Sequence, residues 1–467
     1  MIRQNKAYML WRSIREAIAG TDQDFTTGKL SRAIFLLSVP MVLEMVMESI
    51  FAVVDIFFVS RLGSDAVATV GITESMMTII YSIAIGLSTA TTAIISRRIG
   101  EKRPKDASVA AVQAVTVGFG VSILFSLVGV FFAKDLLGLM GASTEMINEG
   151  YMYPAIMLGS NSVIMLLFIM NAVFRSSGDA AISMRVLVFA NIVNIILDPC
   201  FIFGIGPFPE LGLKGAAVAT SIGRGLAVVF QIYILLGGKK RIKVGKEHLK
   251  LDFGVMKRLV KISLGGIGQS LIATSSWIGM VRIIAVFGSQ ALAGYTIAIR
   301  IIIFALLPSW GISNAAATLV GQNLGAKKPD RAEKSVWVTG FINLILLGVM
   351  GTILVIFSRF FVGLFINEAE VIEKGALALT IISCGFVFYG FGMVIVQAFN
   401  GAGDTATPTK INFFCFWMIE IPLAYYLAIH TQAQDTGVYI AIVVAESILT
   451  IVGIIIFRRG KWKTRIV

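Results

Sequence analysis

Charge is what this chain of 467 residues has least of. Asp, Glu, Lys and Arg make up 14% of it, against about 25% in a soluble globular domain, and that excludes a water-soluble globule. Histidine occurs only as His248 and His430, in a basic loop and near a helix end. Neither lies in an apolar stretch, which excludes a histidine proton relay or a haem site. The three cysteines, Cys200, Cys384 and Cys415, fall inside apolar stretches without metal-ligand spacing and read as small apolar filler. No Walker sequence, nucleophile elbow or HExxH is present, which argues against an enzyme and against nucleotide-driven work within this chain. Residues 1–33 are polar and lack the apolar core of a cleaved signal peptide.

What is present is long apolar sequence, 57% of the chain. Twelve stretches are each long enough to cross about 30 Å of hydrocarbon: 34–58, 66–94, 107–132, 150–174, 183–206, 213–237, 258–287, 290–318, 335–358, 371–399, 409–430 and 436–457. Without water to satisfy the backbone they must be helical, so the expected fold is an all-α integral membrane protein. Lys and Arg gather in alternate connections: the N-terminus, the loops near 97–106, 175–185, 238–257, 325–334 and 400–410, and the tail from Arg458 to Arg465. The intervening loops are short and neutral or acidic (Glu145, Glu149, Glu368, Glu370, Glu373). By the positive-inside rule both termini are expected in the cytoplasm, with an even number of spans. The net charge of +13 is then a topology signal facing anionic lipid headgroups rather than nucleic acid.

The chain also repeats itself at an offset of 225 residues. Leu62-Gly-Ser-Asp-Ala-Val-Ala68 falls on Phe287-Gly-Ser-Gln-Ala-Leu-Ala293. Pro104 falls on Pro329, Asp179 on Asp404 and Gly212 on Gly437. Because rare residues match in polar loops, duplication explains the pattern better than shared composition. Each copy holds six helices, so the repeat is parallel, with substrate sites expected between the halves. The expected organisation is a cytoplasmic segment 1–33, a first lobe 34–237, a cytoplasmic linker 238–257, a second lobe 258–457 and a cytoplasmic tail 458–467.

A charged group in mid-membrane costs about 2.5–3.5 kcal/mol on insertion scales, so each is a functional hypothesis. Glu44, Glu48 and Asp55 fall on one narrow stripe of the first helix, and Asn191, Asn194 and Asp198 on one stripe of the fifth. Two such stripes suggest a shared polar pocket, with Thr220 of the sixth helix able to add a hydroxyl. Oxygen ligands of this kind suit Na⁺, held at Asp55, Asn194, Asp198 and Thr220, and a buried carboxylate can instead carry H⁺. The plain alternative is structural carboxylates paired with Arg or bracing a bent helix, and it weighs most for Glu44, nearer the cytoplasmic end. Arg282 and Arg300 are lone cations in the seventh and eighth helices. They pair with Glu420 or Glu446, or stand as a fixed countercharge.

Val39-Pro40 followed by Val54-Asp-Ile-Phe-Phe-Val-Ser-Arg-Leu-Gly63 resembles the first helix of multidrug and toxic compound extrusion transporters. So do Phe174-Arg-Ser-Ser-Gly-Asp179, Asn194-Ile-Ile-Leu-Asp-Pro199, Gly215-Ala-Ala-Val-Ala-Thr220 and Phe399-Asn-Gly-Ala-Gly-Asp404. The resemblance implies two six-helix lobes around a V-shaped cleft, with H⁺ or Na⁺ entering as an organic, usually cationic, compound leaves. It implies an inner-membrane protein, expected as a monomer, with no cofactor beyond the coupling ion. The first-lobe pattern resembles the branch named after the DNA-damage-inducible protein F. No carboxylate lies in 258–287 or 375–399, where the other large bacterial branch carries its second-lobe ion site. Tyr153 and Asn171, five turns apart on the fourth helix, would line the cleft and meet substrate, unless Tyr153 is an interfacial anchor. Glu44, Arg282 and Arg300 join that substrate set. Glu48 stands where relatives more often have Gln, either a second titratable group beside Asp55 or a hydrogen-bonding substitute. A lipid-linked oligosaccharide flippase of the same superfamily is the alternative, and a membrane enzyme or scaffold a second one. The Gly-Asp segments 175–179 and 400–404 read as turns, with Gly at positive φ and Asp capping the next helix.

Overall fold

An apolar run buried in hydrocarbon has to satisfy its own backbone, and among the described residues of this computed structural model it does so with helices and no strand. The structure describes residues 6–21, 23–238 and 240–467. Residues 1–5 and Asp22 of the expected N-terminal segment, and Lys239 of the expected linker, lie outside the described residues. The helices are α1 (Lys6–Ala19), α2 (Leu30–Val59), α3 (Ser64–Gly100), α4 (Pro104–Leu139), α5 (Thr144–Gly150), α6 (Met152–Gly159), α7 (Asn161–Ser177), α8 (Ala180–Phe203) and α9 (Leu213–Leu236). They continue with α10 (Phe253–Ile284), α11 (Ser289–Gly325), α12 (Pro329–Ile356), α13 (Ser358–Gly363), α14 (Ala369–Cys384), α15 (Phe386–Gly401), α16 (Ala406–Asn412), a π-helical stretch Phe413–Glu420, α17 (Ile421–His430) and α18 (Asp435–Arg458). Pro422, with no N–H to give, follows the π stretch, a widened turn that accommodates its ring.

Among the described residues nine helices are long and apolar enough to span a membrane, and two bent pairs, α6/α7 and α14/α15, raise the number to eleven. The 30 residues of α2, at about 1.5 Å each, complete the twelve. Helix α3 runs on to Gly100, into the segment read as a charged loop, while α11 ends at Gly325 where the corresponding loop begins; Arg97 and Arg98 thus lie in a last helical turn, where cations suit the helix dipole.

The duplication is visible in backbone detail. Helices α3 and α11 begin and end at the repeat offset, and each follows a 3₁₀ turn, Ser60–Leu62 or Ala285–Phe287. The bends fall at Ser160 and Gly385, of 40° and 55°. Lys102 and Lys327 both take positive φ, 60° and 57°, as do Gly178 and Gly403, 98° and 83°. Asp179 does not cap α8, contrary to expectation. With φ −95° and ψ 38° it lacks the extended conformation of an N-cap, and its carboxylate accepts from Ser177 at 3.3 Å. Asp404 instead accepts from Thr407 at 2.8 Å and pairs with Arg465 at 3.1 Å.

The chain divides into two compact units, residues 1–23 with 43–263 and residues 24–42 with 264–467. In the first, α3 packs on α4 and α7, and α8 lies along α9. The basic linker is fastened to this unit. Gln113 accepts from the Asp252 N–H at 3.2 Å and donates to the Lys250 carbonyl at 2.9 Å, and Arg241 holds the carbonyls of Ser177, Thr21 and Gln23. In the second, α11 packs on α12, α14 and α15. A Cβ on Gly401 would lie 2.2 Å from the Ala317 carbonyl oxygen, so only glycine permits that crossing. Arg331 and Lys328 hold the carbonyls of Phe25, Thr26, Thr27 and Gly28. The tail folds back, with Trp462 stacked on Phe457 at 4.6 Å and Lys463 bonded to Glu333, which holds the ammonium above the usual lysine range. Large apolar side chains such as Leu124, Phe131, Ile278 and Ile345 are exposed, a surface that lipid accepts and water does not.

Candidate cation and substrate site

Helix α8 sets the first half of the site. Its helical period puts Asn191, Asn194 and Asp198 on one buried face. Gly223 of α9 faces that stripe, where a Cβ would meet the Ala190 carbonyl at 3.2 Å, so α9 comes close enough for Thr220 to reach Asn194. The Asn194 amide donates to Asp198 Oδ1 at 3.0 Å and to Thr220 Oγ1 at 3.4 Å. Asn191 donates to the Met47 carbonyl of α2 at 2.7 Å, fixing α2 against α8. Asp55 of α2 then lies within electrostatic reach of Asp198. Three buried oxygens here have no protein partner: Asp55 Oδ1, Asp198 Oδ2 and Asn194 Oδ1. Two carboxylates, an amide oxygen and a hydroxyl form a hard oxygen donor set of the kind that Na⁺ takes, and either carboxylate offers a seat for a proton. The residues present therefore fit a small cation.

A second polar network adjoins the first. Arg224 of α9 stands 3.7 Å from Glu48, its guanidinium lies over the Phe51 ring at 4.6 Å, and Tyr81 of α3 is within its electrostatic reach. Glu74 of α3 is within electrostatic reach of both Asp55 and Tyr81. Glu44, one turn before Glu48, is buried in an ion pair with Arg175. Tyr153 is buried within electrostatic range of Asp55 and Asp198. The bend at Ser160 interrupts the five-turn projection that groups Tyr153 with Asn171. Asn171 instead accepts from Gln231 of α9 at 2.7 Å. Arg282 and Arg300 are exposed on the second unit, and among the described residues neither forms an ion pair with Glu420 or Glu446. Glu420 accepts from Ser276 at 2.8 Å, and Glu446 lies within electrostatic reach of Tyr389.

Arg224, Glu74, Tyr81 and Gln231 were absent from the sequence reading. Glu74 and Arg224 are charges inside apolar helices and answer to the same criterion as Asp55; Tyr81 and Gln231 carry no such signal. The repeat does not duplicate the pocket: at the 225-residue offset Asp55, Asn194, Asp198 and Thr220 fall on Met280, Ile419, Leu423 and Ala445.

A family profile described as MatE matches residues 40–200 and 266–426, one match in each copy of the repeat. The chain belongs to the MatE family. Among MatE relatives it is 27% identical over 441 residues to the uncharacterized transporter YisQ of Bacillus subtilis, covering 93% of this chain and 94% of that one. It is 26% identical, with the same coverage, to the probable multidrug resistance protein YoeA of that organism. A crystal structure of MATE in complex with MaL6 superposes with a TM-score of 0.88 at 24% identity, over 94% of this chain and 99% of that one. That likeness gives the fold, all-helical with twelve spans and an internal repeat; membership of the MatE family makes the chain a multi-pass membrane protein.

Proposed function

We propose that this MatE protein is a secondary active multidrug exporter that exchanges H⁺ or Na⁺ for organic, cationic compounds across a bacterial or archaeal inner membrane, with both termini in the cytoplasm. Relatives named as multidrug resistance proteins support the substrate class, and the Lys/Arg-rich loops support the orientation. The observation that carries the coupling is the set of unpartnered buried oxygens on Asp55, Asn194 and Asp198. Two ionised carboxylates in a dry pocket repel each other and have lost their hydration. A bound cation removes both penalties, so the pocket distinguishes loaded from empty by free energy, which is what an ion needs to bias one conformation of a carrier. Pro40, inside α2 and lacking the backbone N–H, gives that helix a place to bend. Each net charge moved down a potential of 100 mV supplies about 2.3 kcal/mol, enough for roughly 50-fold accumulation.

The test is efflux of a fluorescent cationic dye from proteoliposomes under an imposed pH or Na⁺ gradient. Asp55→Asn and Asp198→Asn should each retain fold and dye binding and lose gradient-driven export. Wild-type export by Asp55→Asn would remove that carboxylate from the coupling.

A further inference from the structure

Arg224 stands beside the pocket, and the exchange described above gives it no task. It is 8% exposed, and an arginine stays charged at any physiological pH. Its nearest carboxylate, Glu48, is 3.7 Å from Nη2, too far for a hydrogen bond. Its Nη1 is buried with no acceptor at all. Asp55, within electrostatic reach of the same guanidinium, holds the complementary vacancy, since Oδ1 is buried with no donor. Glu48, Phe51 and Asp55 share one stripe of α2, and the planar guanidinium rests on the middle member. Tyr81 of α3 is within electrostatic reach of the group, Glu74 of α3 within reach of Tyr81 and Asp55, and Asp198 of α8 within reach of Asp55. A buried cation with a spare donor thus stands within electrostatic reach of two carboxylates and is hydrogen-bonded to neither.

We propose that Arg224 is a tethered cation that serves Asp55 when the coupling ion has left and withdraws toward Glu48 when the ion arrives. The inference rests on the coupling reading above and adds a positioning residue to it. Without such a charge, the emptied pocket would leave Asp55 and Asp198 facing each other uncompensated. It would then hold the ion tightly and release it slowly. With the charge, the Phe51 ring guides a swing of the guanidinium that lowers ion affinity and lets turnover proceed.

The experiment uses full-length protein in proteoliposomes, with dye efflux measured against Na⁺ at fixed pH and against pH at low Na⁺. For whichever ion drives export, Arg224→Gln should lower the half-saturating concentration about tenfold, the scale of a lost neighbouring charge, and reduce turnover at saturation. Arg224→Lys should stay within about twofold of wild type, since it keeps the charge. If Arg224 served only as the structural counterion of Glu48, the double variant Glu48→Gln/Arg224→Gln would return to wild-type ion affinity. The tethered-cation role predicts that the double variant keeps the tenfold change. Wild-type half-saturation in the double variant, or in a folded Arg224→Gln, overturns the proposal; if the single variant does not fold, the double variant decides. Asp55→Asn is run in parallel. If it still exports in response to the ion, the coupling reading falls and takes this one with it; if it is inactive while Arg224→Gln is unchanged, only the tethered cation is lost.

Discussion

Glu44 and Glu48 stand one turn apart on α2, and each faces a different arginine. The Glu44 carboxylate is sealed against Arg175, with 1% of its side chain exposed; that of Glu48 is 27% exposed and only loosely met by Arg224. Removing one partner of a buried pair strands a charge and costs about 3–5 kcal/mol, whereas a loose, partly exposed pair contributes about 0–1 kcal/mol. Glu44→Gln should therefore lower the thermal midpoint in detergent by several degrees more than Glu48→Gln does, read by intrinsic tryptophan fluorescence. Equal midpoints would show that the Glu44 pair contributes little to the fold. The sequence makes this distinction only halfway. Position along the helix sets Glu44 apart, but a helical wheel compares residues on one helix and is blind to what the neighbouring helix brings. Asp55 and Asp198 were legible as charges in apolar runs. Arg224 met the same criterion, yet its relation to Glu48 depends on how α9 lies against α2.

At the scale of elements, apolar length located the spans and misjudged their ends. Helix α3 overruns because Arg favours helix as much as it favours water, so a polar segment need not be a loop. The bends at Ser160 and Gly385 left no mark in hydropathy, which counts apolar residues without regard to backbone direction. Close crossings were equally hidden, because glycine is common in every span. Gly401→Ala would drive a methyl group into the Ala317 carbonyl, an overpacking that costs about 1–3 kcal/mol. Gly71→Ala on α3 meets nothing within 4 Å and should be neutral or stabilising by up to about 1 kcal/mol. Thermal unfolding of the two variants side by side checks the contrast, and equal midpoints would mean that the α15–α11 crossing gives way.

For the whole molecule, the duplication was readable because it lies in turns: a left-handed lysine and paired glycines fix loop geometry regardless of what the helices between them do. The cluster of buried oxygens is not duplicated with the fold. The second unit has Met, Ile, Leu and Ala at the positions of the first unit's pocket; of its own carboxylates, Glu420 accepts from Ser276 and Glu446 lies within electrostatic reach of Tyr389. Glu420→Gln and Glu446→Gln should consequently leave gradient-driven dye export within about twofold of wild type, a change below about 0.5 kcal/mol. Loss of coupling in either folded variant would place part of the ion site in the second unit.

The two bent spans differ in how they are held. At the first, Asn161 donates to the Leu158 and Ser122 carbonyls and to Ser126, and Ser160 is bonded to Ser221 at 2.7 Å. At the second, the Gly385 turn is closed by backbone bonds, with two side chains reaching the turn that follows, Thr450 at the Phe388 carbonyl and Asn343 at the Gly390 carbonyl. Mechanically these are a stiff joint and a compliant one cut from the same ancestral bend. Under thermal agitation the compliant joint opens first, so deuterium should enter the amides of residues 386–389 faster than those of 161–164. A protein made of two copies of one blueprint would then carry its softness in the copy that lacks the cluster of unpartnered buried oxygens.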